Sequence, residues 1–131
     1  MTQEQTLLAC KAGIAAWQAA FNNQDAAGCA AQYEEDSVMH ARPFGTFIGR
    51  EAIQTFWQGI IDQGFSDVDY TDIEWVTMND DSCVLTDDSC VLTAKWTMNK
   101  AFGVVHHEQW RIQADGSALL AADDFEVKGE R

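Results

Sequence analysis

The chain has 131 residues, 47% of them hydrophobic, with a single proline. That suits one domain over residues 1–131 with a real core and excludes a disordered chain. Eight basic against 21 acidic residues leave a formal charge of −13, which sets the surface against nucleic acid and anionic membrane, since both carry charge of the same sign. No apolar run approaches the roughly 20 residues that a bilayer span needs. The opening MTQEQTLLACKAG has no basic stretch leading into an apolar one, so no signal peptide is expected. Cys10, Cys29, Cys83 and Cys90 make no C-x-x-C pair and read as reduced, small apolar residues of a cytoplasmic protein.

Residues 3–23 read as a helix, because Leu7, Cys10, Ile14, Trp17 and Phe21 recur at helical spacing and make one apolar stripe. Asn22-Asn23-Gln24 breaks it, and Asp25 can cap a second helix with Ala26, Cys29, Ala30 and Tyr33 on its inner side. Glu34-Glu35-Asp36 is expected to close that helix in a polar turn. A short strand, Ser37–Arg42, follows and stops at Pro43 and Gly45. A third helix opens near Gly49, with Glu51 in its first turn, Ile53, Phe56, Trp57, Ile60 and Ile61 on its apolar face, and Gly64 as its stop.

Everything after Gly64 reads as strand. A segment near Val68–Met78 leads in. Ala94, Trp96 and Met98 alternate with Thr93, Lys95 and Thr97, as in a half-buried strand. Val104–Gln113 alternates with bulky residues on both faces. Ala118–Val127 is the last strand, after the turn Ala114-Asp115-Gly116-Ser117. Helices first and strands afterwards indicate α+β. DDSCVLT occurs twice in succession, at 80–86 and 87–93. A shift of seven would reverse every side chain along one strand, so either a turn at Thr86–Asp88 separates two strands or one copy forms a bulge or loop.

AWQAAFNNQDAAGCAAQYEEDSVMHARPFGTFIGREAIQTFWQG, from Ala16 onwards, resembles the opening of nuclear-transport-factor-2-like proteins, a group that includes ketosteroid isomerases and SnoaL-like cyclases. The shared features are the helix-1 aromatic, the acidic cap, Tyr33-x-x-Asp36 before a strand, and Gly49-Arg50-Glu51-x-Ile53-x-x-Phe56 opening the third helix; Glu108–Ser117 matches the penultimate strand and its turn. The resemblance implies a cone-shaped α+β fold with three N-terminal helices packed in the concave face of a curved, mostly antiparallel sheet. It also implies an apolar pocket for a small-molecule ligand and a homodimer through the convex sheet face.

The resemblance does not carry over the isomerase's own chemistry, an Asp base with a Tyr and a protonated Asp around the oxyanion. Those roles fall on Arg42, on Trp17 and near Val105, and an arginine is no base at neutral pH. Alternation offers another set. With residues 38, 40 and 42 turned inward, Val38, His40 and Arg42 enter the cone. The isomerase register sends Val105, His107, Gln109 and Arg111 inward, leaving His106, Glu108 and Trp110 outside. In the last strand Ala121, Asp123 and Phe125 face in. The resulting catalytic candidates are His40, His107 and Asp123; scytalone dehydratase, in the same family, also uses histidines in its cone. The ligand-binding candidates are Trp17, Arg42, Phe44, Trp57, Trp96, Val105, Gln109 and Phe125. A histidine near its ordinary pKa of about 6.5, oriented by a carboxylate beside an arginine, supports proton abstraction next to a carbonyl, as in isomerisation, cyclisation or dehydration.

Each residue also has a plain reading: His40 as a rim residue, Asp123-Asp124 as a solvated strand end, the tryptophans as core. No metal is expected, since no H-x-H, H-x-x-x-H or H-E-x-x-H occurs, and no cofactor, since no Gly-rich phosphate loop occurs. The alternative function is a non-catalytic dimeric module working through the convex sheet face, with Trp110, Ile112 and Val104 as its apolar patch.

Overall fold

The computed structural model describes residues 3–77 and 89–131. Helix α1 (Gln3–Asn22) turns its stripe to the sheet: Cys10, Trp17 and Phe21 are buried, with Leu7 and Ile14 packed beside them. Gly13 permits the close approach, since a Cβ there would lie 2.6 Å from the Trp110 ring. Helix α2 (Ala26–Ala31) is capped by Asp25, whose side chain accepts from the Gly28 N–H at 2.9 Å.

Strand β1 (Tyr33–Arg42) begins four residues earlier than the sequence suggests, so Tyr33 belongs to the sheet rather than to α2, and Glu34–Asp36 are strand rather than turn. The reason is pairing: Tyr33 lies opposite Leu120, whose N–H donates to Gln32 O at 2.8 Å. Strand β2 (Gly45–Ile48), which the sequence reading passes over, folds back antiparallel on β1. Helix α3 (Arg50–Asp62) starts after Gly49 and stops before Gly64, both at φ +89, and buries Ile53, Trp57 and Ile61.

Strands β3 (Asp69–Thr77), β4 (Ser89–Thr97), β5 (Ala101–Ile112) and β6 (Ala118–Glu130) complete a six-stranded sheet in the order β2-β1-β6-β5-β4-β3. All neighbours are antiparallel except β1 and β6. The helices pack into its concave face, giving the α+β cone. In the repeated segment, Ser89–Thr93 lies in β4; the first copy and Thr86–Asp88, where a turn would stand, fall outside the described residues. Among the described residues no helix is long and apolar enough to cross a membrane.

Two bulges decide what faces the hollow. Between β5 and β6 the register slips between Val105 and His107, leaving His106 as an extra residue in β5. It slips back between Gln109 and Trp110, leaving Ala121 as an extra residue in β6. Each extra residue reverses the alternation beyond it. In β5 the buried positions therefore run Ala101, Gly103, Val105, then Glu108 and Trp110; in β6 they run Ala118, Leu120, then Asp123 and Phe125.

Candidate functional site

Side chains from α1, α3 and five strands enclose a narrow cavity in the hollow, lined by Trp17, Trp57, Trp96, Trp110, Val105 and Phe125 among others, with Tyr33, Tyr70, Glu108 and Asp123 as its polar members. The space open to water centres is about 30 Å³, room for one or two molecules. A second, apolar cavity of about 110 Å³ adjoins it, sharing Trp57, Trp96, Met98 and Phe125 and adding Phe44, Phe56, Ile60 and Phe65. The shared wall is aromatic: Phe125 stacks on Trp57 with centroids 5.5 Å apart and meets Trp96 edge-on at 6.3 Å.

Between the two bulges, Glu108 and Asp123 are direct cross-strand partners, and both are buried. Two carboxyls side by side out of water cannot both ionise readily. Burial pushes the Asp123 carboxyl up to about 7, with Asp124 adding to the rise and the Tyr33 hydrogen bond opposing it. Burial, then the Asp123 charge, holds Glu108 well above the usual carboxylate range against a hydrogen bond from Trp110. Burial thus pushes both carboxyls of the pair towards their protonated forms.

A chain of donors orients Asp123. The Trp57 Nε1–H donates to the Tyr33 hydroxyl at 3.3 Å, and that hydroxyl donates to Asp123 Oδ2 at 2.8 Å. The Trp110 Nε1–H holds Glu108 Oε1 at 3.0 Å. Asp123 Oδ1 is buried without a hydrogen-bond partner. Burial and the nearby carboxyls keep the Tyr33 and Tyr70 phenols protonated, well above their ordinary range. Among the described residues no cluster of His, Cys, Asp and Glu could hold a metal ion.

Of the residues singled out from the sequence, Asp123, Trp17, Trp57, Trp96, Val105 and Phe125 line this cavity, and Phe44 lines the outer one. His40, Arg42, His107 and Gln109 line neither, so the cluster of His40 and His107 with Asp123 is corrected. In β1 the buried residues are Tyr33, Ser37, Met39 and Ala41, since apolar side chains gain by turning inward and an arginine would lose its hydration. Val38, His40 and Arg42 take the opposite face. Arg42 grips Asp124 at 2.8 and 3.0 Å, and His40 meets Thr46 at 2.9 Å.

In β5 the His106 bulge turns His107 out to solvent, while the half-buried Gln109 bonds Ser89 at 3.4 Å and Arg111 pairs with Glu34 at 3.1 Å. The same bulge brings in Glu108 and Trp110, which sequence reasoning set outside. Trp110 is fully buried, so the expected convex apolar patch loses its main member. Ala121, expected inward, is the bulge residue of β6. Glu108, Tyr33 and Tyr70 are the polar cavity residues that sequence reasoning missed. The available signal was the bulk on both faces of Val104–Gln113: two large faces on one strand mark a change of phase.

Several solved structures share the fold at low identity. A ketosteroid isomerase-like protein from Erwinia carotovora atroseptica superposes with a TM-score of 0.70 at 16% identity, over 91% of this chain and 93% of that one. ActVI-ORFA from Streptomyces coelicolor gives 0.69 at 13%, over 93% and 97%. A Catenulispora acidiphila protein solved in complex with S-DNPA gives 0.68 at 17%, over 92% of each chain. No curated protein matches the chain in sequence. Residues 14–119 match the SnoaL-like domain family, and the chain, with its cone and its buried acid pair, belongs to that family.

Proposed function

We propose that this protein binds a small, largely apolar molecule in the cone and moves a proton on it, as an isomerase, cyclase or dehydratase does, with Asp123 as the base and Glu108 as its acidic neighbour. The observation that carries the reading is the unpartnered Asp123 Oδ1 in an apolar cavity. A buried carboxyl oxygen left without a partner is expensive, and such strain is characteristic of working sites. The Catenulispora acidiphila neighbour in complex with S-DNPA supports a cone of this shape holding a small molecule.

The step is simple. Ionised Asp123 takes a proton from carbon next to a carbonyl; the C–H electron pair moves into the new C=C bond as the oxygen gains charge. Glu108, which burial pushes towards its protonated form, donates a hydrogen bond to the oxygen as it gains charge and keeps its proton. Asp123 then returns its proton to a second carbon or to a departing hydroxyl. Tyr33 and Trp57 hold the Asp123 carboxyl so that Oδ1 faces its target.

The test uses 2-tetralone, an enolisable apolar ketone, in D₂O, with deuterium uptake followed by NMR. Wild-type protein is expected to accelerate exchange, and Asp123→Asn to lose about 100-fold or more of that acceleration, the ordinary worth of a positioned base. Equal rates in the two proteins would remove Asp123 from the role. Mass spectrometry of small molecules retained through purification, on the same pair, reads binding separately.

A further inference from the structure

The sheet ends on β3 at one side and β2 at the other, and the two edges are finished differently. Along β3, Asp69, Asp72 and Glu74 spread charge, and a bulge between Thr71 and Glu74, with Asp72 at φ 52, interrupts the ladder. Charge and bulges both discourage a further strand from pairing. In β2, Gly45-Thr46-Phe47-Ile48, there is no charged residue, and the register with β1 runs unbroken. The Gly49 N–H donates to Ser37 O at 2.9 Å. Antiparallel pairs alternate between bonded and unbonded, so Phe47 and Gly45 bond β1, while the N–H and C=O of Thr46 and Ile48 point away from it. Among the described residues no strand takes them up. Ile48 is 67% exposed, and Phe44, just before the strand, is 55% exposed.

An open groove of about 510 Å³ runs between this edge and α3, lined by Phe47, Ile48, Glu51, Ala52, Thr55 and Phe56. Its charged wall residue is Glu51, and the adjoining groove along α3 has Glu51 and Asp62 and no basic side chain in its lining. The nearby arginines are engaged: Arg50 donates to Tyr33 O at 2.7 Å, and Arg42 is held by Asp124 at 2.8 Å. We propose that β2 is a docking edge for an extended segment of a partner protein that carries apolar residues together with lysine or arginine on one face. The segment adds a strand beside β2. Thr46 and Ile48 supply its main-chain hydrogen bonds, Phe47 and Phe56 its apolar contact, and Glu51 its ionic one. Four residues make a short edge, so the groove has to contribute to affinity as well as the main chain. A second copy of this chain is a poorer occupant, since it would set one charge of −13 against another.

The experiment titrates the full chain with two N-acetylated, C-amidated peptides, VTKTVTK and VTETVTE, which put valine and either lysine or glutamate on one strand face. Binding is read from amide NMR shifts, and the site from amide hydrogen exchange. Wild-type protein is expected to bind VTKTVTK about 10-fold or more tightly than VTETVTE, with exchange slowed at Thr46 and Ile48. Glu51→Lys is expected to weaken VTKTVTK about 2- to 5-fold, the worth of an exposed ion pair. Thr46→Pro removes an outward N–H and spares the residues that bond β1; it is expected to cost about 5- to 10-fold, as for one neutral hydrogen bond. Should Thr46→Pro not fold, exchange at Thr46 and Ile48 in wild-type protein decides. Binding of neither peptide, equal binding of both, or protection elsewhere in the chain would overturn the proposal. Protection of Thr46 and Ile48 that grows with protein concentration in the absence of peptide would give the edge to a second copy and overturn the partner. None of these readouts involves Asp123, so the cone chemistry stands or falls separately.

Discussion

At Asp123 the sign of the pH dependence follows from one carboxyl raised to about 7 mainly by burial. Below roughly pH 4 it is protonated in folded and unfolded chains alike. Between there and about 7 the unfolded chain gives up the proton while the folded chain keeps it, so stability falls with rising pH by about 1.4 kcal/mol per unit, then levels off. Glu108, shifted the same way, acts in the same sense, and Tyr33 and Tyr70 face the pair as neutral phenols. Asp124 runs the other way: Arg42 holds it below its ordinary range, and its contribution is lost as pH falls. Urea unfolding of wild-type protein and Asp123→Asn near pH 5 and pH 8 is expected to show the variant gaining on wild type at the higher pH. A constant gap would mean that Asp123 titrates as in water. The aromatic cavity residues were legible in the sequence because Trp17, Trp57 and Trp96 repeat at helical or strand spacing. His40 and Arg42 were misread although their neighbours, Met39 and Ala41, are the apolar pair that the interior claims.

At the scale of strands, the helices and the β half could be read from periodicity, because apolar stripes and alternation report local geometry directly. The inner face of β5 could not, since a bulge depends on a partner strand that the local pattern does not contain. Deleting His106 removes the extra residue and leaves Val105, Glu108 and Trp110 on the inside. Deleting Gln109 shifts Trp110 to the outer face, which forfeits the burial of a side chain worth about 3–5 kcal/mol. Thermal unfolding is expected to rank the two, with the first folding at a modest loss and the second severely destabilised. Similar melting temperatures would contradict the phase assignment.

For the molecule as a whole, 21 acidic residues against 8 basic ones repel one another more in the compact state than in the open one. Local relief comes from pairs such as Arg42 with Asp124 and Arg111 with Glu34, which are too few to balance the sum. Raising sodium chloride from about 0.05 to 0.5 M shortens the Debye length to a few ångströms, and the melting temperature is expected to rise. A fall would show that these pairs outweigh the general repulsion. The cone was legible at this scale from three helices followed by strands; the side chains that fill it were legible only in part, because filling depends on phase.

The His106 bulge has a consequence for heredity. Loss of that one codon would leave the same set of residues in the interior, whereas loss of a codon a few positions along would exchange interior for exterior. Length variation among descendants of this gene should therefore gather at position 106. Column-by-column comparison with a kin sequence lacking the extra residue needs its gap there, or it will set His107 against a wall that Glu108 occupies.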